Sequence, residues 1–241
     1  MIILDIDMDF FLDRIARDMP ETDRRLPNKT YKPWSKEAAA LFFKDCGIFT
    51  KSPGVAIKDH IEAFKIMREM PKPLNIVHID AHSDLGEGDP GWKYLMGEYL
   101  HHPLKGDYRI TPKEGYRYMN SGNYLAFAIA NRWVKSLTYV HHPLGGSDLL
   151  RYHFKGYDTG SGKIQLKICD PEKINWCSTT ILSDANFGVM AKEPEVDFMK
   201  ISGLNFRMSV PIGYIILCQS PGFTPKASDK LMEFIMKEYI R

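Results

Sequence analysis

The order of apolar and polar positions along the chain predicts alternating strands and helices. Residues 2–8 form a short apolar run broken by acids, which reads as a strand with an acidic end. From Lys36 through Cys46 the pattern is helical, with Ser35 as N-cap and Gly47 as the stop. Ser52-Pro53 precedes a second predicted helix, residues 55–70, where Ile57, Ile61, Phe64 and Met67 or Met70 recur at helical spacing. After Pro71-Lys72-Pro73, Leu74 to Ile79 reads as a buried strand that ends at Asp80. A Gly- and Pro-punctuated region without predicted elements runs from Gly86 to Met119, a length that often lines active sites. A helix from Asn123 to Val134 and a strand from Leu137 to His141 come next. Ile164 to Cys169 and Thr180 to Leu182 read as short strands, and Tyr214 to Cys218 as a β-prone apolar strand. Thr224-Pro225 opens a last helix through Tyr239, with proline at its first position.

Such alternation predicts one α/β domain over residues 1–241, three-layered (αβα) around a mostly parallel sheet. In these folds the chemistry lies at the carboxyl ends of the strands. Composition narrows the function classes. The chain is 44% hydrophobic, enough for a sizeable core, and its formal charge of +2 has no long like-charged block. An electrostatic nucleic-acid footprint is therefore not expected. No apolar run is long enough to span a bilayer, and no leader pattern opens the chain. Cys46, Cys169, Cys177 and Cys218 are scattered, without a Cys-x-x-Cys pair, which suits reduced thiols in a cytoplasmic protein.

The candidate chemistry sits at two strand ends. In Asp80-Ala81-His82-Ser83-Asp84, two carboxylates and an imidazole follow an apolar strand at alternate positions. On an extended chain they share a face, a donor set suited to a hard or borderline divalent ion. In Leu4-Asp5-Ile6-Asp7-Met8-Asp9-Phe10-Phe11, three aspartates alternate beside bulky aromatics. Their repulsion in an apolar setting calls for a cation. Asp59-His60, predicted early on the second helix, supplies the nitrogen that a two-metal site built from the other motifs lacks.

Together these motifs resemble the arginase and ureohydrolase superfamily. Asp80-Ala81-His82-Ser83-Asp84 matches its Asp-Ala-His-x-Asp motif, and Asp7-Met8-Asp9 its Asp-x-Asp motif. Asp59-His60 is similar to its Gly-Gly-Asp-His segment without the glycines. The string Leu4 to Phe11 is closer still to a small group that includes peptide arginases, which convert arginine side chains of peptides to ornithine. Weaker similarity lies in Asn120 to Tyr124, Val140 to Pro143 and Ser220 to Pro225. Two departures stand out. The Asp-x-Asp motif comes first here rather than second, which implies an arginase-like (ureohydrolase–deacetylase) fold with permuted motif order. Leu125 stands where the family carries a proton-shuttling histidine.

The resemblance implies two divalent ions, with manganese favoured by oxygen-rich ligands without cysteine. Asp7 and Asp80 would bridge them, His60 and Asp84 completing one and His82 and Asp9 the other. Four aspartates against two dications balance in charge, and Asp5 then falls to orienting a ligand or the strand end. The implied reaction is hydrolysis of a guanidinium group to an amine and urea by metal-activated water. The substrate would be an arginine-containing peptide or a small guanidino compound, with Asn123 contacting it. Glu98, or else Glu87 or Asp89, would face the guanidinium, and His142 would donate the proton. Three rival readings accompany this one. They are a phosphatase with an N-terminal Asp-x-Asp nucleophile, a deacetylase-like amide hydrolase, and a non-catalytic, metal-containing peptide-binding protein of the same fold.

Overall fold

The computed structural model describes residues 1–16, 24–86, 90–176 and 181–241. Nine strands occur among them: β1 (Ile2–Asp7), β2 (Gly54–Ile57), β3 (Leu74–Asp80), β4 (Val134–His141), β5 (Lys163–Ile164), β6 (Lys167–Cys169), β7 (Val189–Lys192), β8 (Val196–Ser202) and β9 (Tyr214–Cys218). Seven form one sheet in the order β2-β9-β1-β3-β4-β8-β5, and β6 and β7 pair separately. Every pairing in the large sheet is parallel except that of β5 with β8.

Strand periodicity decides what each face of the sheet holds. Leu4 and Ile6 of β1, Val77 and Ile79 of β3 and Ile215 and Leu217 of β9 turn to one side. There they meet Ala39 and Phe43 of helix α1 (Lys36–Asp45) and Leu231, Met232 and Ile235 of helix α7 (Asp229–Tyr239). Ile3, Ile76, Leu137 and Ile216 turn the other way, onto α2 (Ile61–Glu69), α3 (Gly91–Gly97) and α4 (Tyr124–Ala130). The result is an αβα sandwich. Two short helices, α5 (Pro171–Trp176) and α6 (Asp184–Phe187), lie by the small β6–β7 ribbon.

Some predicted boundaries move, each for a physical reason. Helix α1 starts where the pattern places it: Ala38 N donates to Ser35 Oγ over 3.1 Å, and Gly47 takes a left-handed φ of 79°. The predicted 55–70 helix instead divides. Gly54–Ile57 is an edge strand, and a β-carbon at Gly54 would stand 2.5 Å from the Ile215 carbonyl oxygen, so glycine is needed there. The helix begins only at Ile61, because Glu62 accepts from the Lys58 and Asp59 amides and Asp59 from that of Ile61. His60 therefore stands at the N-cap position, without a side-chain capping bond, rather than inside the helix.

The region after Gly86 contains α3, whose Trp92, Tyr94, Leu95 and Met96 are buried. Predicted strand 164–169 splits at Gln165 between two sheets, and β8 was not predicted at all. Thr180 falls outside the described residues, and Ile181 and Leu182 are not in a strand. Pro225 precedes a 3-10 turn, Lys226–Ser228, rather than opening α7. Among the described residues no helix is long and apolar enough to cross a membrane.

Candidate metal centre

The parallel register sets β1, β3 and β9 side by side, so their carboxyl ends bring the acidic residues together. Asp5 pairs in register with His78 and Asp7 with Cys218. All four side chains continue the Ile3/Ile76/Ile216 face, towards α2 and α4. Strand geometry ends at Asp7, whose Oδ1 accepts from Asp9 N at 2.8 Å and starts a 3-10 turn, Met8–Phe11. That turn, not strand alternation, carries Asp9 to the site.

The second motif also leaves the extended conformation. Asp80 Oδ1 accepts from His82 N at 2.7 Å, and Asp84 has a φ of 50°. His82 and Asp84 therefore diverge instead of sharing a face. Asp84 Oδ2 turns inward to 2.9 Å from His60 Nδ1, while His82 Nδ1 reaches Asp9 Oδ2 at 2.9 Å. A left-handed aspartate is an uncommon, costly conformation that surrounding contacts must hold. Ser220 is held likewise (φ 44°), and its hydroxyl donates to Asp7 Oδ2.

Two halves result. In the deep half, His60 Nδ1 lies 3.1 Å from Asp7 Oδ2, 3.4 Å from Asp80 Oδ2 and 2.9 Å from Asp84 Oδ2. In the outer half, His82 Nδ1 faces Asp9 Oδ2 and stands 3.8 Å from Asp80 Oδ1. Asp80 thus offers one oxygen to each. The His82 side chain is 28% exposed, whereas those of His60, Asp7, Asp9, Asp80 and Asp84 are at most 7%. Access is therefore from the His82 side. Asp5, fully buried, lies behind: its Oδ2 accepts from Tyr124 OH and faces His78 Nδ1 at 3.1 Å, and its Oδ1 is 3.5 Å from His60 Nε2.

No family model, curated protein or solved structure matches this chain. What the centre can hold therefore follows from its own electrostatics. Among the described residues, the only basic side chains within ion-pair distance of its five aspartates are His60, His78 and His82. Burial, then repulsion from Asp9, Asp7 and Asp84, pushes the Asp80 carboxyl well above the usual range. Burial and Asp9 also raise Asp7. Burial acts the same way on Asp9, but the hydrogen bond and charge of His82 outweigh it and hold Asp9 low. In return His82, which burial alone would depress, is pushed up to about 9 by Asp9.

So many buried carboxylates facing each other favour a cation. Asp84 Oδ2 makes no hydrogen bond although His60 Nδ1 is 2.9 Å away, and Asp5 Oδ1, His60 Nε2 and His78 Nε2 also make none. Orphaned buried donors and acceptors need an explanation, and an ion among the facing carboxylates supplies one for Asp84 Oδ2 and His78 Nε2. Potential ligand atoms of Asp9, Asp80 and His82, and of His60, Asp80 and Asp84, lie within 4.8 Å of one another. These buried clusters can hold a metal ion. Cys218 Sγ approaches Asp7 and His60 as well, but burial raises its pKa and disfavours the thiolate.

The structure thus assembles Asp7, Asp9, His60, Asp80, His82 and Asp84, with Asp5 against His60, and separates the other candidates from them. Glu98 is about half exposed and pairs with Lys113 at 2.7 Å, and no contact joins it to the cluster. Glu87 and Asp89 lie outside the described residues. Both His142 nitrogens are occupied by backbone. Leu144 N donates to Nδ1 at 3.1 Å, and Nε2 lies 3.0 Å from the Leu12 carbonyl oxygen. That fixes a neutral tautomer, which burial favours further, and leaves no nitrogen for proton donation. The Asn123 amide is likewise engaged, accepting from Asn120 N and donating to Tyr118 O, both at 2.8 Å.

Sequence reasoning missed His78, Tyr124 and Ser220. His78 was findable, because it precedes Asp80 by two on an apolar strand and so must share its face. Tyr124 and Ser220 fall in two of the segments of weaker similarity, but nothing local assigns either of them a partner.

Proposed function

We propose that this chain is a metal-dependent hydrolase of arginase type, holding two divalent ions, manganese by preference, and converting peptide-borne arginine to ornithine and urea. One observation carries the dinuclear reading: Asp80 directs Oδ2 to the His60 half and Oδ1 to the His82 half. What a divalent pair supplies when bound is activation of water for attack at neutral pH.

The chain's own residues position and enclose. Asp7 is oriented by Ser220 and by the Asp9 amide, so its oxygens are fixed before any substrate arrives. Tyr124, His78 and Asp5 close the deep side, and His82, beside Phe223 at 5.1 Å between ring centres, lines the open side. In the overall reaction water adds to the guanidinium carbon, the bond from that carbon to the side-chain nitrogen breaks, and the nitrogen leaves protonated. Asp5 is a poor candidate for the nucleophile of a phosphatase, because its oxygens face His60, His78 and Tyr124.

A peptide suits the site better than the free amino acid. The Asn123 amide is spent on its own turn, and Leu125 replaces the family's shuttle histidine. A substrate presenting neutral amides leaves no charged α-group unpaired. The test is mass spectrometry of arginine and of a short peptide with a central arginine, each incubated with manganese-loaded protein. Loss of the amidino group from the peptide, at higher kcat/KM than from free arginine, is expected. A preference for free arginine would remove the peptide assignment, and no change in either would remove the hydrolase.

A further inference from the structure

The histidine on β3 only helps to close the deep side in the reading above. His78 is fully buried, and its two nitrogens face different partners. Nδ1 lies 3.1 Å from Asp5 Oδ2. Nε2 lies 3.4 Å from Asp80 Oδ2 and 3.8 Å from Asp84 Oδ2 yet makes no hydrogen bond. His60 is arranged in the same way from the other side. Its Nε2 is turned to Asp5 Oδ1 and its Nδ1 to the oxygens of Asp80 and Asp84. One carboxylate, Asp5, thus stands behind two imidazoles whose other nitrogens point at the same two oxygens.

When His78 Nδ1 donates to Asp5 Oδ2, its Nε2 carries a lone pair that confronts the acceptor oxygens of Asp80 and Asp84. Buried acceptors facing acceptors are repulsive unless a cation lies between them. Atoms each about 2.0–2.2 Å from one ion are about 3.0–3.5 Å apart as neighbours in its coordination shell; the 3.4 Å from Nε2 to Asp80 Oδ2 falls within that window, and the 3.8 Å to Asp84 Oδ2 lies just beyond it. We propose that His78 Nε2 is a further ligand of the deep ion, so that this ion has two imidazoles, His60 and His78, clamped by the shared carboxylate Asp5. The inference rests on the metal-centre part of the proposed function and not on its substrate. Carboxylate-backed histidines are the common way to orient such ligands and raise their basicity. A second nitrogen would also bias the deep ion towards cobalt, nickel or zinc relative to manganese.

The experiment counts nitrogens. Protein with uniformly ¹⁵N-labelled histidine is loaded with less than one equivalent of Mn²⁺, and pulsed electron paramagnetic resonance resolves the directly bound imidazole nitrogens. Outer-ion occupancy is removed in a His82→Ala background. Two nitrogens are expected there, and one after His78→Phe, which keeps a ring between Tyr124 and Tyr139. A single nitrogen before and after the His78 change would overturn the inference while leaving the metal centre standing. Mn²⁺ binding that is unchanged by Asp80→Asn would overturn the metal centre itself, and this inference with it. Because the first count needs only intact His78, a misfolded His78 variant does not void the test.

Discussion

Replacing Asp80 by asparagine should move stability in opposite directions without and with metal. Asp80 is 1% exposed, with its carboxyl pushed well above the normal range by burial and by Asp9, Asp7 and Asp84. A carboxyl whose folded pKa is raised is ionised in the unfolded chain at pH 7, so folding must neutralise or bury that charge. This penalty is absent below the unfolded pKa and grows as pH rises through the folded one. Asparagine has nearly the same shape and no charge. Two unit charges about 4 Å apart repel by about 4 kcal/mol at an effective dielectric of about 20. His60, whose Nδ1 is 3.4 Å from Asp80 Oδ2, offsets part of that. A net gain of about 1–2 kcal/mol for the metal-free variant follows, and Tm should rise by about 2–8 °C for a chain of this size. With metal the order reverses. Mn²⁺ at about a thousand times Kd stabilises the wild type by about 4 kcal/mol, and each tenfold loss of affinity removes about 1.4 kcal/mol of it. Melting curves in chelator and in excess Mn²⁺, for both proteins, read the two effects directly. A variant that melts lower than wild type in chelator yet gains as much from Mn²⁺ would refute the reasoning at both steps.

Other expectations follow from single contacts. His82→Ala removes the only side-chain nitrogen that the described residues bring to the outer half and should leave about one tightly held ion per chain by elemental analysis, since the deep half keeps all its ligands. Glu98→Gln breaks a half-exposed pair with Lys113; stability should stay within about 0.5 kcal/mol and turnover within twofold, measured by thermal melts and steady-state kinetics. His153 is fully buried and pushed down to about 3 by burial and then Lys167. Its folded pKa lies below the unfolded value near 6.5, so the unfolded chain alone takes up a proton as pH falls. Stability should drop by about 1.4 kcal/mol per pH unit below about 6.5, and denaturant titrations of His153→Phe should show a shallower slope there.

The candidate metal ligands other than His60 were legible in the sequence because their arrangement is local. Asp7 and Asp9 are two residues apart, as are Asp80, His82 and Asp84 in turn, so one strand end carries each set wherever it docks. Local pattern also placed Ser35 at the start of α1 and Tyr214 to Cys218 in a strand. It failed at Gly54–Ile57, where apolar positions fit a helix until pairing with β9 made an edge strand. It failed at Val196–Ser202 too, a half-buried strand whose partner β4 lies far off in sequence.

Only tertiary structure decided which groups face one another across the site. Asp5 meets His78 because β1 and β3 pair in that register, and a slip of one residue would turn His78 to the opposite core. Tyr124 and Ser220 reach the first strand from 119 and 213 residues away. His142 is tied to the Leu12 carbonyl across 130 residues, which occupies the nitrogen that a proton donor would need. Side-chain direction along a strand repeats every two residues and is written into the chain. Which donor confronts which acceptor depends on strand register and helix docking, and these are set by burial of the whole core.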